Sequence, residues 1–318
     1  SDVYKRQLLE PSAKELPDII PEKIAHKFKL PPVSLAIKNI HFPKNLKEVE
    51  EAKRRFAFEE LFKISVAVLQ ERSKIAGRKA PPLPIQLETL QKFTQSLPFK
   101  LTGAQKKATW QILKDMEKPR PMNRLLQGDV GSGKTVVALI AAINAIKNGY
   151  QVAFMAPTEI LAKQHFGTAQ SLLAQFKLNI GLLTGKSDEW VSSKLPKQTI
   201  AISRQKLLKL TQEGEIDLLF GTHTLIQDKV KFGRLGLVIL DEQHRFGVQQ
   251  RAKLLLNSKQ NLSPNFENYV MIPHFLSMTA TPIPRTLALT IYGDLDISLI
   301  DEMPKGRKKI ITRIITPS

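Results

Sequence analysis

The chain of 318 residues contains no cysteine, and this absence excludes several kinds of chemistry. Without thiols there is no disulfide framework, no thiolate metal site and no cysteine nucleophile. Long apolar runs are also missing, since the longest strongly apolar stretch, 136–143, is far shorter than the roughly 18 residues that a membrane span needs. The first residues do not read as a secretory signal peptide. We therefore expect a soluble protein of the cytosol, without membrane contact.

Acidic residues are scarce relative to basic ones. The sequence has 48 Lys and Arg against 29 Asp and Glu, a formal net charge of +19 and a pI of about 9.9. The surplus is spread along the chain, because 1–98 holds 18 basic and 12 acidic residues and 99–318 holds 30 and 17. Such a charge attracts polyanions and repels a second copy, which favours a monomer that binds nucleic acid. A basic surface that serves only solubility is the alternative.

The first part of the chain, 1–45, is interrupted by six prolines, which disfavour long helices and central strands. Short helices are predicted at 21–28 and at 35–40, the second with Ser34 as its N-cap. We interpret residues 1–45 as a linker or as the remnant of a preceding domain.

A long helix is predicted to begin after Asn45, whose side chain caps it together with Glu48, and to end at Gly77. Apolar residues recur at helical spacing along it. The proline-rich segment 81–84 then predicts a linker. We interpret 46–98 as a helical connector.

From residue 99 onward, short apolar runs alternate with helical stretches, and this alternation predicts a parallel sheet with helices on both faces. The helix that begins near 134 is apolar nearly all round, so we expect it to be buried against the sheet. The predicted strands are 124–127, 151–155, 180–183, 217–220, 236–240 and 275–278. The predicted helices are 85–96, 103–116, 134–148, 159–176, 202–213, 248–256 and 284–292.

A glycine-rich loop at 128–135 reads GDVGSGKT and fits the pattern G-x-x-x-x-G-K-[ST]. Such a loop, between a strand and a helix, presents backbone N–H groups to a phosphate. Lys134 would neutralise phosphate charge, and Thr135 would ligate Mg²⁺. The predicted phosphate-binding residues are Gly128, Gly131, Ser132, Gly133, Lys134 and Thr135.

An acidic pair, Asp241 and Glu242, ends another apolar strand. Carboxylates at the carboxyl end of a buried strand lie where open α/β sheets bind ligands. We expect Asp241 to hold Mg²⁺ and Glu242 to orient and deprotonate the attacking water. A third strand ends in Thr279-Ala-Thr281, whose hydroxyls either sense the γ-phosphate or only form a β-branched strand end.

Longer stretches around these motifs resemble superfamily 2 helicases, and closely the RecG-type fork-remodelling DNA helicases of bacteria. The resemblance covers most of 20–310. The stretches that carry it are 40–62, 101–105, 124–135, 155–166, 214–232, 235–251 and 278–307. The motor of transcription-repair coupling translocases is a rival, but Gln243, Ser132 and 101–105 favour the RecG type.

The resemblance implies that 99–318 forms a RecA-like lobe that binds ATP and Mg²⁺. It also implies that the protein acts on branched DNA during repair and recombination, in the bacterial cytosol or nucleoid. It implies that Gln105 reads adenine and that Phe99 packs near the base. Residues that link the nucleotide to DNA, or contact the DNA backbone, would be Gln243, His244, Thr158, Glu159, Thr222, His223, Thr279, Thr281 and Arg285. For His223 and His244 a purely structural role is the alternative.

The family also has a second motor lobe, whose arginines complete the ATP site, and a wedge domain of OB type. We do not expect either the second lobe or the wedge domain within residues 1–318. A missing arginine finger costs about 10³- to 10⁵-fold in rate. We therefore expect the chain alone to bind ATP–Mg²⁺ weakly and hydrolyse it poorly, or to act as a nucleic-acid-binding module with an idle ATP site.

Overall fold

The computed structural model describes residues 16–76, 79–227, 229–241, 271–281 and 295–304. The chain divides into two compact units. The helical unit comprises 1–73 with 284–294, and the sheet unit comprises 74–283 with 295–318. Within the described ranges, no helix combines the length and the apolar character needed to cross a membrane.

The described part of the helical unit contains α1 (Glu22–Lys27), α2 (Val33–His41) and all but the last turn of α3 (Leu46–Ala76). The long helix and both short ones are therefore confirmed. The Asn45 side chain accepts the N–H of Glu48 at 2.9 Å, as a capping residue should. The prediction of Ser34 as a cap is wrong, because α2 begins at Val33, two residues earlier than predicted, and has Pro32 in the cap position.

A buried arginine holds the helical unit together. Arg55 on α3 is fully buried and forms ion pairs with Asp18 and Glu59. Its Nε also donates to the carbonyl of Pro31 at 3.2 Å. A buried guanidinium is tolerated only when its donors find partners, and these acceptors lie before α1, before α2 and on α3. The side chain thus ties the short helices to the long one.

Among its described residues, the sheet unit has nine strands in the order β5-β4-β3-β6-β2-β7-β8-β1-β9. Its strands are β1 (Asn123–Gly128), β2 (Gln151–Met155), β3 (Ile180–Leu183), β4 (Asp188–Val191), β5 (Ile200–Ala201), β6 (Leu218–Gly221), β7 (Leu235–Asp241), β8 (His274–Thr279) and β9 (Asp296–Ile300). Its further helices are α4 (Leu87–Ser96), α5 (Gly103–Met116), α6 (Lys134–Lys147), α7 (Glu159–Leu173) and α8 (Arg204–Gln212), with 3₁₀ turns at Ala174–Phe176 and His223–Ile226.

Seven neighbouring strands, from β3 to β9 in the sheet order, are parallel, so the predicted parallel sheet is confirmed. The antiparallel strands β4 and β5 at one edge, and β9 at the other, were not predicted. Strand β4 reads DEWV, and its two acidic residues hide it from a search for apolar runs. The predicted helices at 248–256 and 284–292 lie outside the described residues.

Helices cover both faces of the sheet, as predicted. One face carries the larger core, to which α4, α5, α6 and α7 contribute, and the other is covered by α8 and the second 3₁₀ turn. Every residue of α6 from Val136 to Ile146 is buried. This confirms that a helix apolar on all sides lies between the sheet and its neighbouring helices.

The proline-rich segment at 81–84 lies before α4 and is neither helix nor strand, as expected for a linker, and it is packed rather than free. Leu83 is fully buried, and its N–H donates to the Met116 carbonyl at 2.8 Å. Asn144 on α6 accepts the N–H of Gln86 at 2.9 Å, and its amide donates to the Leu83 carbonyl. Where the connector ends and the ATP-binding lobe begins stays a prediction.

A buried histidine fastens the same segment to the sheet. His274, at the start of β8, accepts the N–H of Met122 on Nδ1 at 3.0 Å and donates from Nε2 to the Pro81 carbonyl at 2.8 Å. Burial lowers the pKa of His274 from its ordinary 6.5 to about 4, and its hydrogen bond to Pro81 and the charge of Asp115 only partly oppose this.

We predict that His274 makes the fold weaker in mild acid. Below about pH 6.5 the unfolded chain binds a proton at this position while the native chain does not, so the free energy of unfolding falls as pH falls. The fall is at most about 1.4 kcal/mol per pH unit and stops once the pH reaches the native pKa. Urea denaturation between pH 7 and pH 4 measures it.

The variant His274→Gln keeps a donor for Pro81 but has no titrating ring, so its stability should fall less steeply with acid. His26→Gln, at an exposed position on α1, is the matched control and should follow the unmodified chain. Equal slopes for all three proteins would contradict this prediction.

Candidate functional site

Three motif-bearing strands end side by side at the carboxyl edge of the sheet. Strand β8 lies between β7 and β1, and all three run parallel. In the register, Asp241 pairs with Met278, and Gln127 pairs with Thr279. The glycine-rich loop, the acidic strand end and the threonine pair therefore share one edge, which is where α/β sheets bind ligands.

The backbone of the glycine-rich loop adopts conformations that favour glycine. Gly131 has a φ of 81° and Gly133 a φ of 87°, both in the left-handed region. A Cβ on Gly128 would lie 2.6 Å from the Ser132 hydroxyl oxygen and 3.0 Å from the Ile300 carbonyl oxygen. The loop is thus packed against the end of β9 as well as turning into α6.

The lysine and threonine of the motif lie in the first turn of α6. The Lys134 ammonium donates to the carbonyls of Gly128 at 2.6 Å and Asp129 at 2.9 Å. A phosphate bound in the loop would offer stronger, charged acceptors for this ammonium. Thr135 follows directly, so both side chains lie at a helix N-terminus, where N–H groups favour an anion.

Gln105 is buried at the start of α5 and forms a hydrogen bond with the glycine-rich loop. Its Oε1 accepts the N–H of Thr102 at 2.8 Å, which completes a capping box, and its Nε2 donates to the Ser132 carbonyl at 2.7 Å. A Cβ on Gly133 would lie 2.4 Å from this Nε2. Adenine reading by Gln105 stays a prediction, and the structure shows that the amide braces the loop.

Phe99 lies on the segment between α4 and α5, with 40% of its surface exposed. It lines a cavity of about 870 Å³ together with apolar residues of both helices, among them Leu90 and Trp110. Packing of Phe99 against a base stays a prediction.

Asp241 ends β7 and contacts a residue that the sequence did not single out. The Nε2 of His165, on α7, lies 2.8 Å from Oδ2 of Asp241. Both side chains are largely buried, at 12% and 14% exposure. An ionised carboxylate can only accept, so Nε2 carries the hydrogen of this bond.

The threonine pair after β8 is ordered by its own hydroxyls. Thr279 is buried, and its Oγ1 lies 3.0 Å from Oγ1 of Thr281 and accepts the N–H of Thr281 at 3.3 Å. Whether these hydroxyls sense a phosphate stays a prediction.

Four of the residues predicted to contact DNA or to link it to the nucleotide lie along the other half of the same edge, after β2 and β6. Thr158 caps α7 by accepting the N–H of Leu161 at 3.3 Å. Glu159 accepts the N–H of Gly185, after β3, at 2.7 Å. Thr222 is buried, whereas His223 is exposed. Strand order thus separates the half of the edge with the glycine-rich loop, Asp241 and the threonine pair from a second half with these polar residues.

Four predicted site residues, Glu242, Gln243, His244 and Arg285, lie outside the described residues. Three contacts at the site were not predicted, namely those of His165, Gly185 and Glu302, whose carboxylate accepts the N–H of Ala104 at the start of α5. Each joins residues far apart in the chain, so no local pattern could reveal it.

Comparison with known proteins connects this site to helicases. A family model described as DEAD/DEAH box helicase matches residues 102–290. A protein of Aquifex aeolicus named ATP-dependent DNA helicase RecG is 45% identical over 96% of this chain and 37% of its own length. A protein of the same name from Synechocystis is 48% identical over 95% of this chain and 34% of its own length.

A solved structure described as RecG bound to a three-way DNA junction covers 98% of this chain, with a TM-score of 0.75 and 40% identity. The match takes in 39% of that chain. The present chain therefore spans little more than a third of the length of the relatives it matches.

We predict that Gln105→Glu weakens nucleotide binding. The new carboxylate can still accept from Thr102, but it places an oxygen against the Ser132 carbonyl where the amide donated. Loss of a buried hydrogen bond costs about 1–3 kcal/mol, which corresponds to roughly 5- to 150-fold in affinity. Titration with a fluorescent ATP analogue measures the change.

Gln111→Glu is the matched control on the same helix, because the Gln111 oxygen only accepts, from the Ser298 hydroxyl at 2.7 Å. A carboxylate can accept that bond equally well. If both variants bound the analogue with equal affinity, the bracing role of Gln105 would be excluded.

Proposed function

The chain belongs to the DEAD/DEAH box helicase family, and on that basis we propose that it is the ATP-binding motor lobe of a RecG-type DNA helicase. In this proposal the lobe binds ATP–Mg²⁺ and the backbone of branched or forked DNA, for remodelling in repair and recombination. The proposed remodelling of DNA takes place in the bacterial cytosol, on chromosomal DNA.

One observation carries this proposal. The glycine-rich loop after β1 and the carboxylate at the end of β7 lie at the same edge of one parallel sheet, with only β8 between them. Neighbouring strands are about 4.8 Å apart, so the two strand ends are separated by roughly 10 Å. A triphosphate held in the loop can therefore extend toward the carboxylate.

In the proposed ATP complex, the loop N–H groups bind phosphate and Lys134 turns from the Gly128 and Asp129 carbonyls toward phosphate oxygens. The oxygen donors at this edge, the Thr135 hydroxyl and the Asp241 carboxylate, fit a hard cation. They would hold Mg²⁺, which when bound neutralises charge on the transferred phosphoryl group.

The residues after Asp241 complete the proposed chemistry. Glu242 follows it directly in the chain, and we assign it the orientation and deprotonation of the attacking water. Gln243 and His244 would carry the state of the nucleotide to the DNA side, and Thr279 and Thr281 would do so from β8. These roles follow from the family pattern at the same positions.

The DNA is proposed to run along the half of the edge formed by β2, β6 and β3. The connections after β2 and β6 carry Thr158 and Thr222, and Glu159 and His223 begin the helix and the 3₁₀ turn that follow them. The net charge of +19 favours a polyanion, and binding to the backbone requires no base readout. The similar solved structure has a three-way DNA junction bound, which suggests the substrate class.

We predict that Lys134→Ala abolishes binding of a fluorescent ATP analogue, because the loop loses its only side-chain cation for phosphate. Circular dichroism and the melting temperature should stay close to those of the unmodified chain, since Lys134 lies outside the buried core. Unchanged analogue binding would refute the proposed ATP site.

DNA binding should weaken as salt rises, with a slope of log K against log[salt] of about −0.9 for each phosphate contacted. Anisotropy titrations with a labelled three-way junction measure this slope, and a flat response would exclude backbone binding. The analogue should change junction affinity in the unmodified chain and not in Lys134→Ala. No response in either protein would favour the idle-site alternative.

A further inference from the structure

The contact between His165 and Asp241 joins a helix to the proposed metal-holding strand end. His165 lies in the middle of α7, and the 2.8 Å hydrogen bond from its Nε2 engages Oδ2 of the carboxylate. One oxygen of Asp241 is therefore occupied by a protein donor, and that bond restricts rotation of the carboxylate. A carboxylate that must meet a cation gains from such restraint, because fewer orientations compete with the productive one.

The imidazole itself is held by an aromatic cluster. The ring of Phe154, on β2, lies 4.8 Å from the His165 ring, centroid to centroid, and 4.9 Å from the ring of Phe220 on β6. Phe154 and Phe220 are fully buried. A ring packed in this way cannot easily swing away from Asp241, so its donor is fixed relative to the sheet.

We propose that His165 is a positioning residue that orients the Asp241 carboxylate for Mg²⁺ when nucleotide is bound. This inference rests on the proposed ATP–Mg²⁺ function and extends it to a residue on α7. The alternative is that the bond only fastens α7 to the sheet. The two differ in their consequences, because a positioning role affects Mg²⁺-dependent binding while a fastening role affects all binding and the stability of the fold.

The experiment uses the whole chain and a fluorescent, non-hydrolysable ATP analogue, titrated in EDTA and over a range of Mg²⁺ concentrations. Removing a residue that orients a metal ligand typically weakens metal affinity about 10- to 100-fold. His165→Ala should therefore need about 10- to 100-fold more Mg²⁺ to reach half of its Mg²⁺-dependent gain in affinity. In EDTA it should bind the analogue as the unmodified chain does.

Two variants make the outcome specific. His165→Gln places an amide N–H near the position of Nε2 and should restore most of the Mg²⁺ response. Ser171→Ala, at an exposed position on the same helix, should behave as the unmodified chain. A normal Mg²⁺ response in His165→Ala overturns the proposal, and so does an equal loss of binding in EDTA and in Mg²⁺.

Failure of the ATP site itself would give a different pattern. The analogue would then bind the unmodified chain and Lys134→Ala alike, or neither of them. In the expected result, Lys134→Ala loses binding in both conditions, while His165→Ala binds normally in EDTA and needs more Mg²⁺ for its gain in affinity.

Discussion

The parallel pairing of β7, β8 and β1 is the constraint on which the rest of the site depends. Backbone hydrogen bonds in this register align the carboxyl ends of the three strands, so that a loop, a carboxylate and a hydroxyl pair meet at one edge. Helix α6 starts at that edge because the glycine-rich loop follows the end of β1, and it is buried between the sheet and the neighbouring helices. A shift in the register of these strands would move the glycine-rich loop away from Asp241, and the site would no longer form.

Polar side chains from the flanking helices also fix groups at the edge of the sheet through hydrogen bonds. Gln105 reaches from α5 to the phosphate loop, and His165 reaches from α7 to Asp241. Both helices contribute to the larger apolar core, so the packing that stabilises the fold also fixes the donors at its edge. Helix α7 carries both Glu159, its first residue, which contacts the loop after β3, and His165, which contacts Asp241.

Much of the fold could be predicted because its main elements have strong local patterns. Apolar runs located β1, β2 and β3 almost to the residue, and the all-apolar sequence of α6 predicted its burial. The failures have physical causes. The acidic residues of β4 obscure an antiparallel strand next to the edge of the sheet, and α2 starts at Val33 with Pro32 in place of the expected cap.

By itself, the amino-acid sequence determined the glycine-rich loop, the strand that ends at Asp241 and the alternation of strands and helices. Each of these features depends on residues that are neighbours in the chain. Only the tertiary structure decided which side chains meet at the edge. Gln105 and Ser132 are 27 residues apart, and His165 and Asp241 are 76 apart. Backbone preferences and hydrophobic periodicity act over a few residues, whereas such contacts follow from strand order and helix packing across the whole sheet.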